Sequence, residues 1–297
     1  MGEGWGEGLF SEGFNLKFGK FEIYPVSDGS FMLDGGAMFG IVPKVLWQRT
    51  NPADEKNRIV MGLNPLLISN GKRNILVDTG MGDKGDEKFF QIYKIDRKED
   101  LLTSLKRLGI LPDDINIVIN THLHFDHTGG NTIKNERGEI VPRFPKARYF
   151  IQKGEWQNAL NPNERTKASY IFENFQILDI TDQLILIEGD TEIEEGIRII
   201  KTPGHTRHHQ SVLIESEGQK AIYLGDLIPT TSHIHHPYIM SYDLFPLVTL
   251  KTKKEILNRA LKEDWLLIFE HDPLIKMCYI TKKDERFKID EERLIIR

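Results

Sequence analysis

The segment that decides the fold of this protein is Thr121-His122-Leu123-His124-Phe125-Asp126-His127-Thr128-Gly129-Gly130. It places three imidazoles and a carboxylate close together, and each is costly to bury without a partner. Histidine with aspartate is the ligand set expected for zinc, and it also accepts manganese, iron or cobalt. The segment therefore predicts a metal site, the alternative being a solvated histidine-rich loop.

The spacing within this segment divides the ligands into two groups. At an extended strand end His122 and His124 point the same way, so they can share one metal. Asp126 and His127 lie beyond the turn and can reach a second metal. The glycine pair that follows lets the backbone turn sharply and approach the site closely.

Three later strand-like runs also deliver a potential ligand just past their carboxyl ends. Residues 198–200 lead to His205, residues 221–224 lead to Asp226, and residues 265–269 lead to His271. His205 would be the third histidine of the first metal, Asp226 could bridge both metals with its two oxygens, and His271 would complete the second. Helical candidates at 153–160 and 250–262 lie between the runs, and this alternation predicts an α/β architecture.

Composition narrows the class of protein. The chain has 297 residues, is 39% hydrophobic and carries a formal net charge of −5, so it can bury a core without disulfides and has no basic field for nucleic acid. Its single cysteine, Cys278, is expected to be a buried hydrophobe on a strand. With neither a signal-peptide pattern nor a membrane-length apolar run, we expect a cytoplasmic protein that acts on a small molecule, without a nucleic-acid or membrane partner. A homodimer is one option for its assembly.

Residues 1–20 are expected to be a flexible N-terminal arm, and residues 21–297 a single domain. Two apolar runs, 65–69 and 74–77, flank Asn70-Gly71 and predict a hairpin. Region 27–62 is long and irregular, which is typical of a lid over an active site. Its aromatic residues, among them Phe39 and Trp47, could hold an acyl chain or could close the core.

The pattern His122-x-His124-x-Asp126-His127, followed by His205, Asp226 and His271, resembles the metallo-β-lactamase superfamily. The turn Asp78-Thr79-Gly80 and the turn before His205 resemble it too. The resemblance implies a four-layer αβ/βα sandwich of two mixed β-sheets flanked by helices, with two divalent metal ions, expected to be zinc, at one edge. It also implies that Asp78 supports the metal ligands from behind. Asp126 would both bind the second metal and steer the proton from the metal-bridging water, and the resulting metal-bound hydroxide would be the nucleophile.

Within the superfamily the chain most resembles the quorum-quenching N-acyl homoserine lactonases, through the 122–130 segment, residues 202–206 and His209-Gln210-Ser211. This implies a hydrolase that opens lactones. Such lactonases have a tyrosine shortly after the bridging aspartate, where this chain has Ile228 and Pro229. Tyr238 or Tyr242 could replace it. His235, in the same loop, is expected to line the pocket, a solvated surface being the alternative.

Other activities remain open at this point. The same fold includes phosphotriesterases and glyoxalase II-like thioesterases. A non-catalytic metal-binding or sensing protein is the alternative from another class, but such proteins typically lose ligands and this chain retains all seven.

Overall fold

The computed structural model describes residues 16–296. The strands are β1 (Leu16–Phe18), β2 (Phe21–Pro25), β3 (Ser30–Asp34), β4 (Arg58–Gly62), β5 (Leu66–Ser69), β6 (Asn74–Val77), β7 (Ile115–Ile119), β8 (Thr132–Lys134), β9 (Ile140–Pro142), β10 (Arg148–Gln152), β11 (Leu184–Ile187), β12 (Thr191–Glu194), β13 (Ile197–Lys201), β14 (Gln210–Ser216), β15 (Gln219–Tyr223), β16 (Trp265–Ile268), β17 (Met277–Lys283) and β18 (Arg286–Ile296). The α-helices are α1 (Gly35–Phe39), α2 (Lys44–Trp47), α3 (Glu87–Tyr93), α4 (Leu101–Arg107), α5 (Phe125–Thr128), α6 (Lys153–Leu160), α7 (Ile177–Ile180) and α8 (Pro246–Glu263).

The start of the fold differs from the sequence expectation. Residues 1–15 of the predicted arm lie outside the described residues. The remainder of that arm contains β1, which pairs antiparallel with β2. The ordered sheet therefore begins before residue 21.

Two seven-stranded sheets form the centre of the molecule. Their strand orders are β1-β2-β5-β6-β7-β10-β11 and β12-β13-β14-β15-β16-β17-β18. Both are mixed: β6, β7, β10 and β11 run parallel in the first sheet, and β15 and β16 run parallel in the second.

Alternating side chains pack the two sheets face to face. Ile68 of β5 and Tyr223 of β15 lie in one buried cluster between the sheets. Their neighbours Leu67 and Ile222 point outwards into two other clusters. Since successive side chains of a strand face opposite sides, strands apolar at every position are the pattern expected for sheets covered on both faces.

Helices cover the outer face of each sheet. Leu105 of α4 and Trp156 of α6 pack on the first sheet, and Ile256 and Leu257 of α8 pack on the second. The four layers confirm the predicted αβ/βα sandwich.

Local signals placed several elements correctly. The Asn70-Gly71 hairpin joins β5 to β6, with φ of +77° at Gly71. The predicted helix 153–160 coincides with α6, whereas α8 begins at Pro246, before the predicted residue 250. The amide hydrogens of the first helical turn have no acceptor within the helix, so a proline, which has no amide hydrogen, suits that position.

Region 27–62 is not irregular, and that prediction was wrong. It forms the hairpin β3–β4 with α1 and α2 between its strands. Phe31, Met38 and Met61 pack there in a separate buried cluster with Phe39 and Trp47. Short elements of this kind carry too few residues for a clear hydrophobic period, which is why the pattern resembled a loop.

Cys278 is fully buried on β17, as predicted for a small hydrophobe. Among the described residues, no helix combines the length and the apolar character needed to cross a membrane.

Candidate metal centre

Turns at the carboxyl ends of strands from both sheets meet at one edge of the sandwich. Strands β6 and β7 are parallel neighbours, and so are β15 and β16. Strand β13 runs in the same direction as β15, because each is antiparallel to β14. The residues that follow these five strands therefore collect at one place, as the sequence argument required.

The first ligand group consists of His122, His124 and His205. One ligand atom from each lies within 4.8 Å of the others. Nε2 of His205 is 3.1 Å from Nδ1 of His124, and all three rings are buried.

The second ligand group consists of Asp126, His127 and His271, and its ligand atoms also lie within 4.8 Å of one another. Nε2 of His271 is 3.1 Å from Nε2 of His127. An Asp126 oxygen is 3.8 Å from His271 Nε2 and 3.9 Å from His127 Nε2.

Asp226 lies between the two groups. Its Oδ2 is 3.1 Å from Nε2 of His205, in the first group. Its Oδ1 is 3.2 Å from Nε2 of His271 and 3.6 Å from Nε2 of His127, in the second group. Each oxygen of one carboxylate thus faces a different group.

Two polar atoms at this centre lack a hydrogen bond. In the part of the chain that the structure describes, His122 Nε2 and Asp226 Oδ1 are buried without a partner. A buried polar atom without a partner costs free energy, and a divalent cation would satisfy both a ring lone pair and a carboxylate oxygen. Imidazole and carboxylate are also ligands that zinc accepts. The residues present therefore fit a divalent metal.

Burial and nearby charges set the protonation states of the candidate metal ligands. Burial, together with neighbouring imidazoles, lowers the pKa of His122 and His124 well below the usual value for histidine. Both rings are therefore neutral and keep a lone pair for a metal. Burial raises the pKa of the Asp226 carboxyl, but His205, His127 and other nearby imidazoles outweigh it and hold that pKa well below the usual range. Asp226 is consequently ionised.

Asp78 orients His127 from behind. Its carboxylate accepts hydrogen bonds from the Thr121 amide and hydroxyl, both at 2.8 Å, and lies 2.9 Å from Nδ1 of His127. With Nδ1–H donating to Asp78, the His127 ring presents Nε2 to the second group. Asp78 has a φ of +56°, a left-handed conformation in which aspartate is more common than most residues.

Two further acceptors orient ligands, and the sequence analysis missed both. Oδ1 of Asp243 is 2.9 Å from Nδ1 of His205, and the carbonyl oxygen of Gly62 is 2.9 Å from Nδ1 of His271. No local sequence pattern marks Asp243 as a partner of histidine. A backbone carbonyl carries no sequence signal at all.

Glu155 of α6 ties the two ligand turns of the first group together. It is buried, and it accepts hydrogen bonds from the Leu123 amide at 3.3 Å and from the Thr206 hydroxyl at 2.7 Å. The Tyr170 hydroxyl also donates to it, at 2.9 Å. Leu123 lies between two ligands and Thr206 follows a third, so one carboxylate positions both turns.

The glycine pair packs closely against the neighbouring turn. A Cβ on Gly129 would collide with the Met81 carbonyl oxygen, and one on Gly130 with the Thr79 carbonyl oxygen. These contacts hold the ligand turn against the turn that carries Asp78.

A cavity of about 410 Å³ opens onto the metal centre. Five predicted ligands line it: His124, Asp126, His205, Asp226 and His271. Its other walls are largely apolar, with Leu33 and Met38 from region 27–62 on one side. That region thus borders the cavity, although it is a packed hairpin.

Of the residues predicted to contact the substrate, the structure places some at this cavity and others away from it. Tyr242 lines the cavity and is 39% exposed. Phe39 and Trp47 do not line it; they are buried and stacked, with ring centroids 5.4 Å apart, behind its wall. Phe39 and Trp47 belong to the same buried cluster as Met38, consistent with the alternative that these aromatics close the core.

His235 and Tyr238 also lie away from the metal centre. They line a separate cavity of about 280 Å³ together with Phe287. Nearby His233 is buried, and its Nε2 is 2.8 Å from the Met38 carbonyl oxygen.

Comparisons with known proteins agree with this geometry. Residues 60–271 match the family model of the metallo-beta-lactamase superfamily. An N-acyl homoserine lactonase from Bacillus cereus is 30% identical over 220 residues, which cover 69% of this chain and 79% of that protein. Another, from Bacillus thuringiensis, is 29% identical over 217 residues, with the same coverage. A crystal structure of a probable metal-dependent hydrolase from Staphylococcus aureus has a TM-score of 0.87 and 32% identity, covering 95% of this chain and 99% of that one.

Fold, site and relatives together define a hydrolase with residues that can hold divalent metal. The chain belongs to the metallo-beta-lactamase superfamily. The fold and the family that the sequence analysis predicted are thereby confirmed.

Proposed function

We propose that this protein hydrolyses the ester bond of N-acyl homoserine lactones or related lactones at a centre of two divalent metals. The observation that carries the proposal is the placement of Asp226 between two complete ligand groups at the floor of a largely apolar cavity. The names of the relatives that are about 30% identical supply the substrate class.

The residues would hold the metals as follows. His122, His124 and His205 would bind the first ion, and Asp126, His127 and His271 the second, with one Asp226 oxygen on each. Zinc suits this ligand set, while manganese, iron and cobalt are alternatives. When bound, such a pair supplies an activated water and polarises the bond under attack.

Asp126 is proposed to move the proton. It lines the cavity, and one of its oxygens lies among the imidazoles of the second group. Its other oxygen would then accept the proton of the attacking water and return it to the alkoxide released from the lactone ring. General acid–base catalysis requires a group within reach of both the attacking water and the leaving oxygen. Two carboxylates line the cavity, Asp126 and the proposed bridging Asp226. Asp126 is therefore the candidate for this role.

Tyr242 is proposed to donate a hydrogen bond to the lactone. Burial, with Asp34, Tyr93 and Asp126 nearby, raises the pKa of its hydroxyl to about 12, so the donor proton stays in place at neutral pH. This tyrosine would take the role left open by Ile228, which is buried in the core behind the bridging aspartate. Leu33 and its apolar neighbours would hold the acyl chain.

The test is turnover by zinc- or cobalt-loaded protein on acyl-homoserine lactones of short and long chain, a simple γ-lactone, an aryl phosphotriester and a glutathione thioester. We expect lactone opening that falls more than about 100-fold in a His122→Ala/His124→Ala variant, since loss of mere supporting contacts already costs 10–100-fold. His235→Ala removes a histidine outside this cavity and serves as the matched control, with activity unchanged.

Turnover of the phosphotriester or thioester alone would refute the lactonase proposal while keeping the metal centre. Fully metallated protein that opens none of the panel would favour a sensing role instead. Metal content, measured in the same samples, separates missing metal from missing activity.

A further inference from the structure

We infer that Arg165 determines substrate specificity by donating a hydrogen bond to the amide carbonyl of the acyl group. This inference rests on the proposed lactonase function, which it extends from the lactone ring to its substituent.

Hydrogen bonds hold Arg165 and its segment at the rim of the cavity. Its Nη2 donates to the Ser241 carbonyl oxygen at 2.8 Å, and the Ser241 amide in turn donates to the Ala37 carbonyl oxygen at 2.8 Å. On its own segment, the Ser169 carbonyl oxygen accepts from the Phe125 amide at 2.9 Å. The guanidinium is therefore tethered to the wall that carries Ser241, and the backbone of its segment is bonded to the ligand turn.

Arg165 carries the one lysine or arginine charge among the described residues that line this cavity. The described residues also offer it no carboxylate within 4.0 Å. The carboxylates in the lining, Asp126 and Asp226, face the imidazoles of the metal centre instead. A guanidinium has five N–H donors and no acceptor, and the tether to Ser241 uses one of them.

The remaining N–H donors of Arg165 at this rim favour a substrate that has an oxygen acceptor there. An N-acyl lactone has a reacting ring, an amide and an apolar chain in that order. With the ring at the metal centre and the chain along Leu33 and Met38, the amide lies between them, within the cavity that Arg165 borders. A lactone with a plain alkyl substituent has no oxygen for Arg165 to bind.

The test compares kcat/KM for N-hexanoyl homoserine lactone with that for an α-alkyl-γ-butyrolactone of matched length, whose chain leaves the ring at the same carbon. For Arg165→Ala we expect a loss of about tenfold on the amide substrate, mainly in KM, because a hydrogen bond to a charged group is lost at an exposed site. The alkyl lactone should change less than about twofold, and Arg165→Lys should recover part of the loss. Lys167→Ala, which removes an exposed cation of the same segment outside the cavity lining, should leave both substrates unchanged.

Equal losses on both substrates would overturn the inference, since they would show that Arg165 only anchors Ser241. No loss on either substrate would overturn it as well. In both cases the wild-type protein still opens lactones, so the proposed function survives. A wild-type protein that opens neither lactone refutes the proposed function, and the role of Arg165 with it.

Discussion

Asp243→Asn is expected to weaken metal binding selectively at the first ligand group. The Asp243 carboxylate lies 2.9 Å from Nδ1 of His205, and both side chains are buried. Asparagine keeps the size of the side chain but removes its charge. The bond to the imidazole changes from a charge-assisted one to a neutral one, and it no longer increases the basicity of the ring.

The magnitude follows from the burial of this pair. A hydrogen bond to a charged group contributes about 1.5–3 kcal/mol and a neutral one about 0.5–1.5 kcal/mol. The difference of roughly 1–1.5 kcal/mol corresponds to about 5–15-fold in metal affinity, near the lower end of the 10–100-fold seen when ligand-supporting residues are removed.

Asp78→Asn provides the matched comparison. The Asp78 carboxylate lies 2.9 Å from Nδ1 of His127 and is as deeply buried, so the same change should weaken the second group. Chelator competition gives the two affinities, and cadmium-113 NMR, with one resonance per site, shows which site has changed. Asp243→Asn would refute the reasoning if both affinities stayed within about twofold of wild type, or if the cadmium resonance affected were the one that Asp78→Asn shifts.

Three further predictions concern single side chains. Glu155→Gln should lower the free energy of unfolding by about 1–3 kcal/mol, because an amide cannot accept all the hydrogen bonds that the buried carboxylate accepts. Urea denaturation measures this change, and the control Glu164→Gln, at an exposed position, should show none. Tyr242→Phe should lower kcat about tenfold with the fold intact. Because burial raises the pKa of this hydroxyl to about 12, the higher kcat of the wild type should persist to pH 10. A loss of that difference near pH 9 would contradict the assignment. Burial lowers the pKa of Lys253 to about 7, so the unfolded chain binds more protons above that pH and stability should rise from pH 7 to pH 10, by at most about 1.4 kcal/mol per pH unit. Lys253→Met should flatten this rise in urea midpoints measured across that range, and an unchanged slope would show that another group causes it.

The sequence by itself was sufficient to name the histidines and aspartates that the fold brings together. The pattern from His122 to His127, and the ligands that follow three later strands, could be read because each depends on local features: a β-branched run, its end, and a side chain with metal-binding chemistry. The Asn70-Gly71 hairpin and helix α6 were predicted for the same reason, since turn chemistry and helical period are properties of neighbouring residues.

Tertiary structure decided everything that depends on pairs of residues far apart in the chain. Asp243 supports His205, and the carbonyl of Gly62 supports His271, through contacts spanning 38 and 209 positions. No local pattern encodes such partners. Similarly, Met38 and Phe39 are both buried, yet Met38 lines the cavity and Phe39 does not, because the short helix α1 is positioned by packing on distant parts of the chain. Which aromatic side chain meets a substrate and which closes the core is therefore determined by packing, not by residue type.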